Sequence, residues 1–407
     1  MLFKSTGKHK VSILDFIPAF SGLVGKVALV SSFALVWAQE LELSYEDFVF
    51  ENVRLELLIG GVITLLAAFL YREAAPAGTL SPLVVMIPIM VAFGVHPLIL
   101  GLEIGILGFI LVKSGFFRKL ISLAGEITRT SVTLAFGIAG IWMSANKLSD
   151  FFEEQYIFYI VLICLILLFI ILLYTKKNWL MIPVAALVAL CIPLFFGIQP
   201  QLTYHTLSVH IQPEFWWYSI WGIGYGFDLG TIFKTLPFAL FSILLWTLDT
   251  ISIQEVEKIH YDKELGAAIS IEKSFYMVSF RNILGVSLGG AQTSSLWRSY
   301  LVPLFMVNRP MRNSAIILGI LAIITSFFSA PIQLMSFTPL VWSVLLFGIF
   351  MPFTVIAIKK VWKEKKSTNQ IAILAFTTLG IIVNPIFTWI AAVLYERILW
   401  VVASMKK

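Results

Sequence analysis

Long apolar runs recur along this chain of 407 residues, and they constrain the fold more than any other feature. Residues 157–174 and 181–196 are two of several runs that approach or exceed the roughly 20 apolar residues that a helix needs to cross a bilayer. Hydrophobic residues make up 59% of the sequence and charged residues only 13%, which is typical of membrane proteins. The sequence therefore predicts an all-α integral membrane protein that forms a single polytopic domain.

Hydropathy and helix-breaking residues divide the chain into about fourteen predicted transmembrane segments. The segments are 17–38, 55–71, 81–93, 97–113, 120–145, 157–174, 179–196, 235–253, 267–288, 292–307, 314–330, 337–358, 371–382 and 387–402. Between the seventh and the eighth segment lies a longer, aromatic-rich connection that includes Phe215, Trp216, Trp217 and Tyr218. Aromatic clusters of this kind are typical of the membrane–water interface.

The distribution of charge predicts how the segments are oriented. Basic residues fall in alternate loops, at 4–10, 118–119, 176–177, 309–312, 359–366 and 406–407, and the opposite loops are acidic, at 40–51 and 150–154. Because Lys and Arg collect in cytoplasmic loops, both termini are predicted to be cytoplasmic in a multi-pass protein of the cell membrane. The net charge of +6 follows from these loops, so it does not indicate a nucleic-acid partner.

Two breaks interrupt the apolar pattern, at residues 76–82 (PAGTLSP) and 289–295 (GGAQTSS). They open the third span of each of two seven-span repeats, about 11–197 and 233–405, and because seven is odd the repeats are inverted. Paired interruptions at corresponding positions of inverted repeats indicate a transporter binding site. The same small residues would also suit a close helix–helix contact. The predicted substrate-binding residues are Gly78, Thr79, Ser81, Gly289, Gly290, Gln292, Thr293, Ser294 and Arg298.

Four ionisable residues lie inside predicted spans: Lys26, Glu103, Asp249 and Arg298. Such a group at the bilayer centre costs roughly 2.5–3.5 kcal/mol, so each indicates a function or a structural pairing. Lys26 and Asp249 occupy equivalent spans of the two repeats, which predicts an ion pair, either static or switching. We expect Asp249 to carry a coupling ion, with Lys26 and Glu103 as further candidates. Arg298 is expected about a turn and a half inside a helix that begins at Gln292. There it faces an anion, snorkels to the interface or pairs with a carboxylate.

The organisation resembles the superfamily that joins nucleobase–cation symporters (uracil, xanthine and adenine permeases) with the sulfate permeases. The two breaks carry this resemblance, and Leu248-Asp249-Thr250-Ile251 resembles an acidic motif of adenine-type permeases. Segments 51–58, 76–97 and 289–310 are similar to a group of bacterial permeases of unassigned function, over most of the chain. The resemblance implies a core of spans 1–4 and 8–11, a gate of spans 5–7 and 12–14, and a homodimer formed through the gate.

These patterns predict a secondary-active, symporter-type permease that works by alternating access on a small polar solute, more anionic than neutral, such as sulfate, bicarbonate or a carboxylate. Arg298 favours the anion, because nucleobase symporters carry a glutamate at about that distance from the break. The retained Asp249 favours the alternative, a proton- or sodium-coupled nucleobase symporter. An alternative of another class is a membrane scaffold without transport. No enzyme, metal site or organic cofactor is predicted, and the only expected partners besides the substrate are the coupling H⁺ or Na⁺, the lipid bilayer and a second copy of the chain.

Overall fold

In this computed structural model most of the chain is helical, and the longest helices are apolar enough to cross a membrane. The structure describes residues 11–43, 45–71, 73–152, 154–175, 177, 180–181, 184–185, 187–188, 191, 195, 209–261, 269–329, 332, 340–383 and 385–405. Six helices within these residues have the length and hydropathy of a membrane span, or seven if a bent pair is counted as one span. The predicted seventh span, 179–196, lies mostly outside the described residues.

Fourteen α-helices are defined within the described residues. They are α1 (Phe16–Glu40), α2 (Tyr45–Leu70), α3 (Ile87–Ala92), α4 (Pro97–Lys113), α5 (Phe116–Ser122), α6 (Glu126–Phe151), α7 (Gln155–Tyr174), α8 (Leu229–His260), α9 (Ile271–Ser287), α10 (Arg298–Val307), α11 (Met311–Ser326), α12 (Leu340–Lys363), α13 (Ser367–Ile382) and α14 (Pro385–Met405). A 3₁₀ helix, Ser81–Met86, precedes α3, and a π-helical turn, Phe215–Ile220, lies before α8.

Side-chain caps explain where several helices begin. Asp228 precedes α8 and accepts a hydrogen bond from the backbone N–H of Thr231 at 2.9 Å. The hydrogen bonds from Thr231 also hold the pKa of the Asp228 carboxyl below its usual value. Ser270 precedes α9 and accepts from the N–H of Lys273. Each cap satisfies one of the backbone donors that a helix start leaves without a partner.

Several predicted boundaries were wrong: the second span begins at Tyr45 and not at residue 55, and the eighth covers Leu229–His260 and not 235–253. Two further errors have a local cause. The fifth span begins at Glu126 and not at residue 120, because Gly125 is extended and the preceding residues form the separate helix α5, bent by 79° from α4. The tenth span begins at Arg298 and not at Gln292. Its preceding residues stay extended because they pair with the first break, as described below.

The helices form two groups that pack mainly within themselves. The central group contains α1, α2, α4 and α8–α11, and the peripheral group contains α6 and α12–α14. Small residues bring α6 and α12 close together, since a Cβ at Gly137 would meet Thr354 and one at Gly140 would meet Phe350. Close approach through glycine is a common way to pack helices in lipid, where no hydrophobic effect drives association. The two groups meet chiefly where α8 contacts α6.

Candidate functional site

The two breaks cross each other inside the central group. The N–H of Gly78 donates to the carbonyl of Ser295 at 2.7 Å, and the N–H of Leu80 donates to the carbonyl of Thr293 at 2.9 Å. Ala77 and Leu296 form an isolated antiparallel bridge. Non-helical backbone is tolerated at membrane depth only where its polar groups find partners. Each break therefore supplies the backbone partners that the other one needs.

Gly289 bends the chain out of α9 into this crossing. Its φ of +93° lies in the left-handed region, and its carbonyl accepts hydrogen bonds from Asn52 at 3.2 Å and from Trp221 at 2.7 Å. A Cβ at this position would also overlap the side chain of Trp216. Only glycine meets both the backbone and the steric requirement here.

We expect Gly289→Ala to lower the thermal unfolding midpoint more than Gly115→Ala, its matched control. Both glycines have positive φ, which costs a substituted residue about 1–3 kcal/mol. A Cβ at Gly115 would meet nothing within 4 Å, whereas one at Gly289 overlaps Trp216. Equal losses in the two variants, measured by thermal unfolding of the detergent-purified protein, would show that the crossing tolerates the added methyl group.

A buried polar network fixes the crossing to α2 and α9. Glu56 forms an ion pair with Arg281 and accepts a hydrogen bond from Gln292 Nε2 at 2.6 Å. The Gln292 Oε1 accepts in turn from Thr79 Oγ1 at 2.6 Å, so the network joins both breaks. Glu56, Arg281 and Gln292 are fully buried. A buried ion pair that is linked by hydrogen bonds to both breaks favours one arrangement of the surrounding elements.

We expect Glu56→Leu to destabilise the protein by about 3–5 kcal/mol, because it leaves the guanidinium of Arg281 buried without its counter-charge. The double variant Glu56→Leu/Arg281→Met removes both charges and should recover most of the loss. Chemical or thermal unfolding in detergent measures both values. A double variant no more stable than Glu56→Leu would mean that the ion pair itself does not hold the crossing.

Two asparagines and a tryptophan bind the backbone of the second break. Asn52 accepts from the N–H of Ala291 at 3.0 Å, and Asn282 accepts from the N–H of Ser294 at 2.7 Å. The carbonyl of Ser294 accepts from the indole of Trp246 at 2.9 Å and from Asn282 at 3.3 Å. The extended segment before α10 is therefore held from α2, α8 and α9 at once.

Asp249 and Arg298 form an ion pair at the start of α10. Asp249 lies on α8 and is buried, and it also accepts a hydrogen bond from the hydroxyl of Ser295. The contact to Asp249 uses Nε of Arg298, while Nη1 and Nη2 are buried and have no hydrogen-bond partner within the described residues. Arg298 therefore keeps the forked face of its guanidinium for another acceptor.

The guanidinium of Arg298 lies against the peripheral group. Its guanidinium carbon lies 5.1 Å from the ring centre of Phe136 on α6 and 5.6 Å from that of Phe350 on α12. These are cation–π contacts, which stabilise a cation without using its hydrogen-bond donors. Arg298 thus lies where the central and the peripheral group meet.

Three residues with buried hydroxyl groups lie within five positions of Arg298 in the sequence. The hydroxyl oxygens of Thr293, Ser294 and Ser299 have no hydrogen-bond partner in the part of the chain that the structure describes. Helix α10 begins without a side-chain cap, so its first N–H groups and its positive dipole end lie next to Arg298 in the chain. Hydroxyls, a guanidinium and a helix N-terminus together form a set of donors that suits an anion.

Lys26 does not pair with Asp249, so that predicted ion pair was wrong. Arg298 and Ser295 occupy the carboxylate of Asp249. The ammonium of Lys26 is buried, lies 5.3 Å from the ring centre of Trp297 and has no hydrogen-bond partner among the residues described. The equivalence of spans 1 and 8 placed the two residues at similar depth, but it could not say toward which neighbour each side chain points.

Most of the remaining predicted site residues lie in or beside the crossing. Gly78, Thr79, Gly290, Gln292, Thr293 and Ser294 lie in the crossing, and the buried Ser81 begins the 3₁₀ helix next to it. Glu103 lies on α4, where both of its carboxylate oxygens are buried and accept no hydrogen bond from any described residue. Within the described residues no cluster of His, Cys, Asp or Glu could hold a metal ion.

Sequence reasoning missed the partnership of Glu56 with Arg281 and the aromatic contacts of Arg298. Opposite charges in the second and ninth spans were the signal for the first, because an acid and a base at membrane depth usually face each other or a cavity. Phe136 and Phe350 carried no signal, since the chain contains 34 phenylalanines and most of them serve only to pack helices or face lipid.

Comparisons with known proteins place the fold. The profile of the family described as "Protein of unknown function (DUF3360)" matches residues 5–399. No curated protein sequence matches the chain. Among solved structures the chain is similar to the transmembrane domain of a cyanobacterium bicarbonate transporter, BicA, with a TM-score of 0.51, 12% sequence identity and coverage of 93% of this chain and 98% of that chain. At this identity the similarity shows the fold, and the predicted all-α membrane architecture is confirmed.

Proposed function

This chain belongs to the DUF3360 family of proteins of unknown function, and we propose that it carries a small anion across the membrane by alternating access. The observation that carries the proposal is the buried guanidinium of Arg298, whose two Nη atoms have no partner within the described residues. Burying hydrogen-bond donors that have no acceptor is costly, even where the charge is balanced by an ion pair, and this favours a site that an anion completes. The fold shared with a protein whose title names a bicarbonate transporter supports the same class of solute.

The substrate site lies between the start of α10 and the peripheral group. Arg298 would bind the anion with its forked face, and the hydroxyls of Thr293, Ser294 and Ser299 would complete the set of donors. Phe136 and Phe350 close the site from the other side through their ring contacts with Arg298. Small oxyanions such as bicarbonate, sulfate or a short carboxylate match a forked, planar donor.

In this proposal Asp249 binds the coupling ion. Its carboxylate binds the same guanidinium that would bind the substrate. When Asp249 takes up a proton or a sodium ion, its hold on Arg298 weakens and the anion gains the full charge of the guanidinium. Movement of the central group against the peripheral group would then expose the loaded site on the other side of the membrane.

A nucleobase symporter is the second candidate, and the buried carboxylate of Asp249 favours it. A carboxylate can accept the N–H groups of a uracil or purine edge. Asp249 is already bound by Arg298 and Ser295, however, and the polar atoms near it that have no partner belong mainly to donor groups. The anion is therefore the better match to the site.

A ligand-stabilisation screen on the detergent-purified protein separates the two candidates. A ligand that binds only the folded protein stabilises it by about 2.7 kcal/mol at one hundred times its dissociation constant. We expect bicarbonate, sulfate or a small carboxylate to raise the unfolding midpoint, and uracil, xanthine and adenine to leave it unchanged. Stabilisation by a nucleobase and by none of the anions would overturn the anion proposal.

A further inference from the structure

A cavity of about 290 Å³ lies away from the crossing, at the ends of α8 and α12. Ile259 and His260 on α8 and Met306 on α10 line it from the central group. Lys359 and Lys363 on α12, together with Lys360, line it from the peripheral group. The cavity is therefore wedged between the two helix groups, at the end of the bundle where the loops are basic and predicted to be cytoplasmic.

The cavity retains positive charge after its ion pairs are counted. Lys360 pairs with Glu255, a buried carboxylate of α8 that also lies 3.7 Å from Arg129 and 3.3 Å from Lys258. Three cations thus surround one acid. Lys359 and Lys363 form no ion pair with any described residue, so their charges remain for a ligand.

Part of the cavity wall is apolar and lies near the membrane surface. Leu173, Met181, Val355 and Ile356 contribute hydrocarbon to the lining. Beside the lining residues, Trp362 is 83% exposed and Tyr174 is 89% exposed, as expected for aromatic residues of the interfacial belt. The volume of the cavity, about 290 Å³, is close to the lower limit for ligand pockets. This size suits a lipid headgroup with the first part of its acyl chains.

We propose that this cavity binds the phosphate headgroup of an anionic phospholipid, with Lys359 and Lys363 at the phosphate and the apolar wall against the acyl chains. Charge complementarity and the amphipathic lining favour a lipid over a soluble anion, which would leave the apolar wall without a partner. Because Lys360 lines the same cavity, the phosphate also competes with Glu255 for that ammonium. The binding claim stands independently, whereas an effect of the lipid on transport rests on the function proposed above.

The experiment compares phosphatidylglycerol with phosphatidylcholine, each added as mixed micelles to the purified full-length protein. We expect phosphatidylglycerol to raise the unfolding midpoint and to remain bound in native mass spectrometry. Lys359→Gln/Lys363→Gln should weaken its binding by about tenfold or more, given that each basic residue near the membrane surface contributes about 1 kcal/mol, or about fivefold. Lys365→Gln/Lys366→Gln is the matched control, since these neighbouring lysines do not line the cavity and the double change removes the same charge.

Two results would overturn the proposal. Equal losses of phosphatidylglycerol binding in the cavity variant and the control variant would show that the binding depends only on general surface charge. Stabilisation by inorganic phosphate or glycerol 3-phosphate equal to that by phosphatidylglycerol would assign the cavity to a soluble anion. The unfolding midpoint of the cavity variant, measured without lipid, shows whether that variant is folded. Because the readout is lipid binding, failure of the anion-transport proposal leaves this test unaffected.

Discussion

Arg298→Ala is expected to abolish stabilisation by the anion that the protein carries. Two hydrogen bonds from a charged donor contribute about 1.5–3 kcal/mol each, so their loss weakens binding by about a hundredfold or more. The effect should exceed that of any single hydroxyl substitution at Thr293, Ser294 or Ser299, because only Arg298 also supplies a charge. The measurement is the ligand-dependent shift of the unfolding midpoint, with the midpoint in the absence of ligand recorded for each variant.

Two controls separate the loss of the site from a loss of folding. Arg298→Lys keeps a charge beside Asp249 but removes the fork, so it should fold and still bind the anion weakly. Arg118→Ala removes a guanidinium that is 73% exposed and pairs with Glu272, which is not part of the proposed site. This variant should leave the ligand-dependent shift of the unfolding midpoint unchanged. An Arg298→Ala variant that keeps the full ligand shift would exclude Arg298 from the site.

Asp249→Asn is expected to separate binding from coupling. The amide is uncharged, so Arg298 is released to the anion, and binding should be retained or tightened. The same change removes the group that takes up the coupling ion, so an inward proton or sodium gradient should no longer drive accumulation. The measurement is uptake of labelled anion into proteoliposomes, with and without each gradient.

The control for this variant is Asp150→Asn, which neutralises a carboxylate that is 66% exposed and lies at the end of α6. It should behave as the unmodified protein in both binding and uptake. Gradient-driven accumulation by Asp249→Asn at the level of the unmodified protein would exclude Asp249 as the coupling residue. Loss of binding together with loss of uptake would instead mean that Asp249 positions Arg298.

The general architecture could be predicted because lipid imposes simple rules on sequence. Apolar runs, alternating loop charge and the two breaks at 76–82 and 289–295 are all local patterns. The breaks could be recognised since glycine, proline and hydroxyl residues are conspicuous among apolar ones. The pairing of Gly78 with Ser295 follows once both breaks are known to meet, because exposed backbone groups at membrane depth require partners.

The details of the site could not be predicted, because they depend on how each helix is rotated. Lys26 and Asp249 lie in spans predicted to be equivalent, yet their side chains contact different neighbours, Trp297 and Arg298. A rotation of one residue changes the direction of a side chain by about 100°, and repeat symmetry does not determine it. The start of α10 was misplaced for a related reason, since the extended state of residues 291–297 is stabilised by pairing across the crossing and not by local propensity.

Uptake of labelled bicarbonate and sulfate into proteoliposomes, comparing the unmodified protein with Arg298→Ala, tests the central claim most directly. The account predicts protein-dependent uptake of at least one of these anions, saturable with concentration and lost in the Arg298→Ala variant, which by its unfolding midpoint is folded. Saturable uptake of a nucleobase, with no uptake of either anion and no effect of Arg298→Ala, would contradict it.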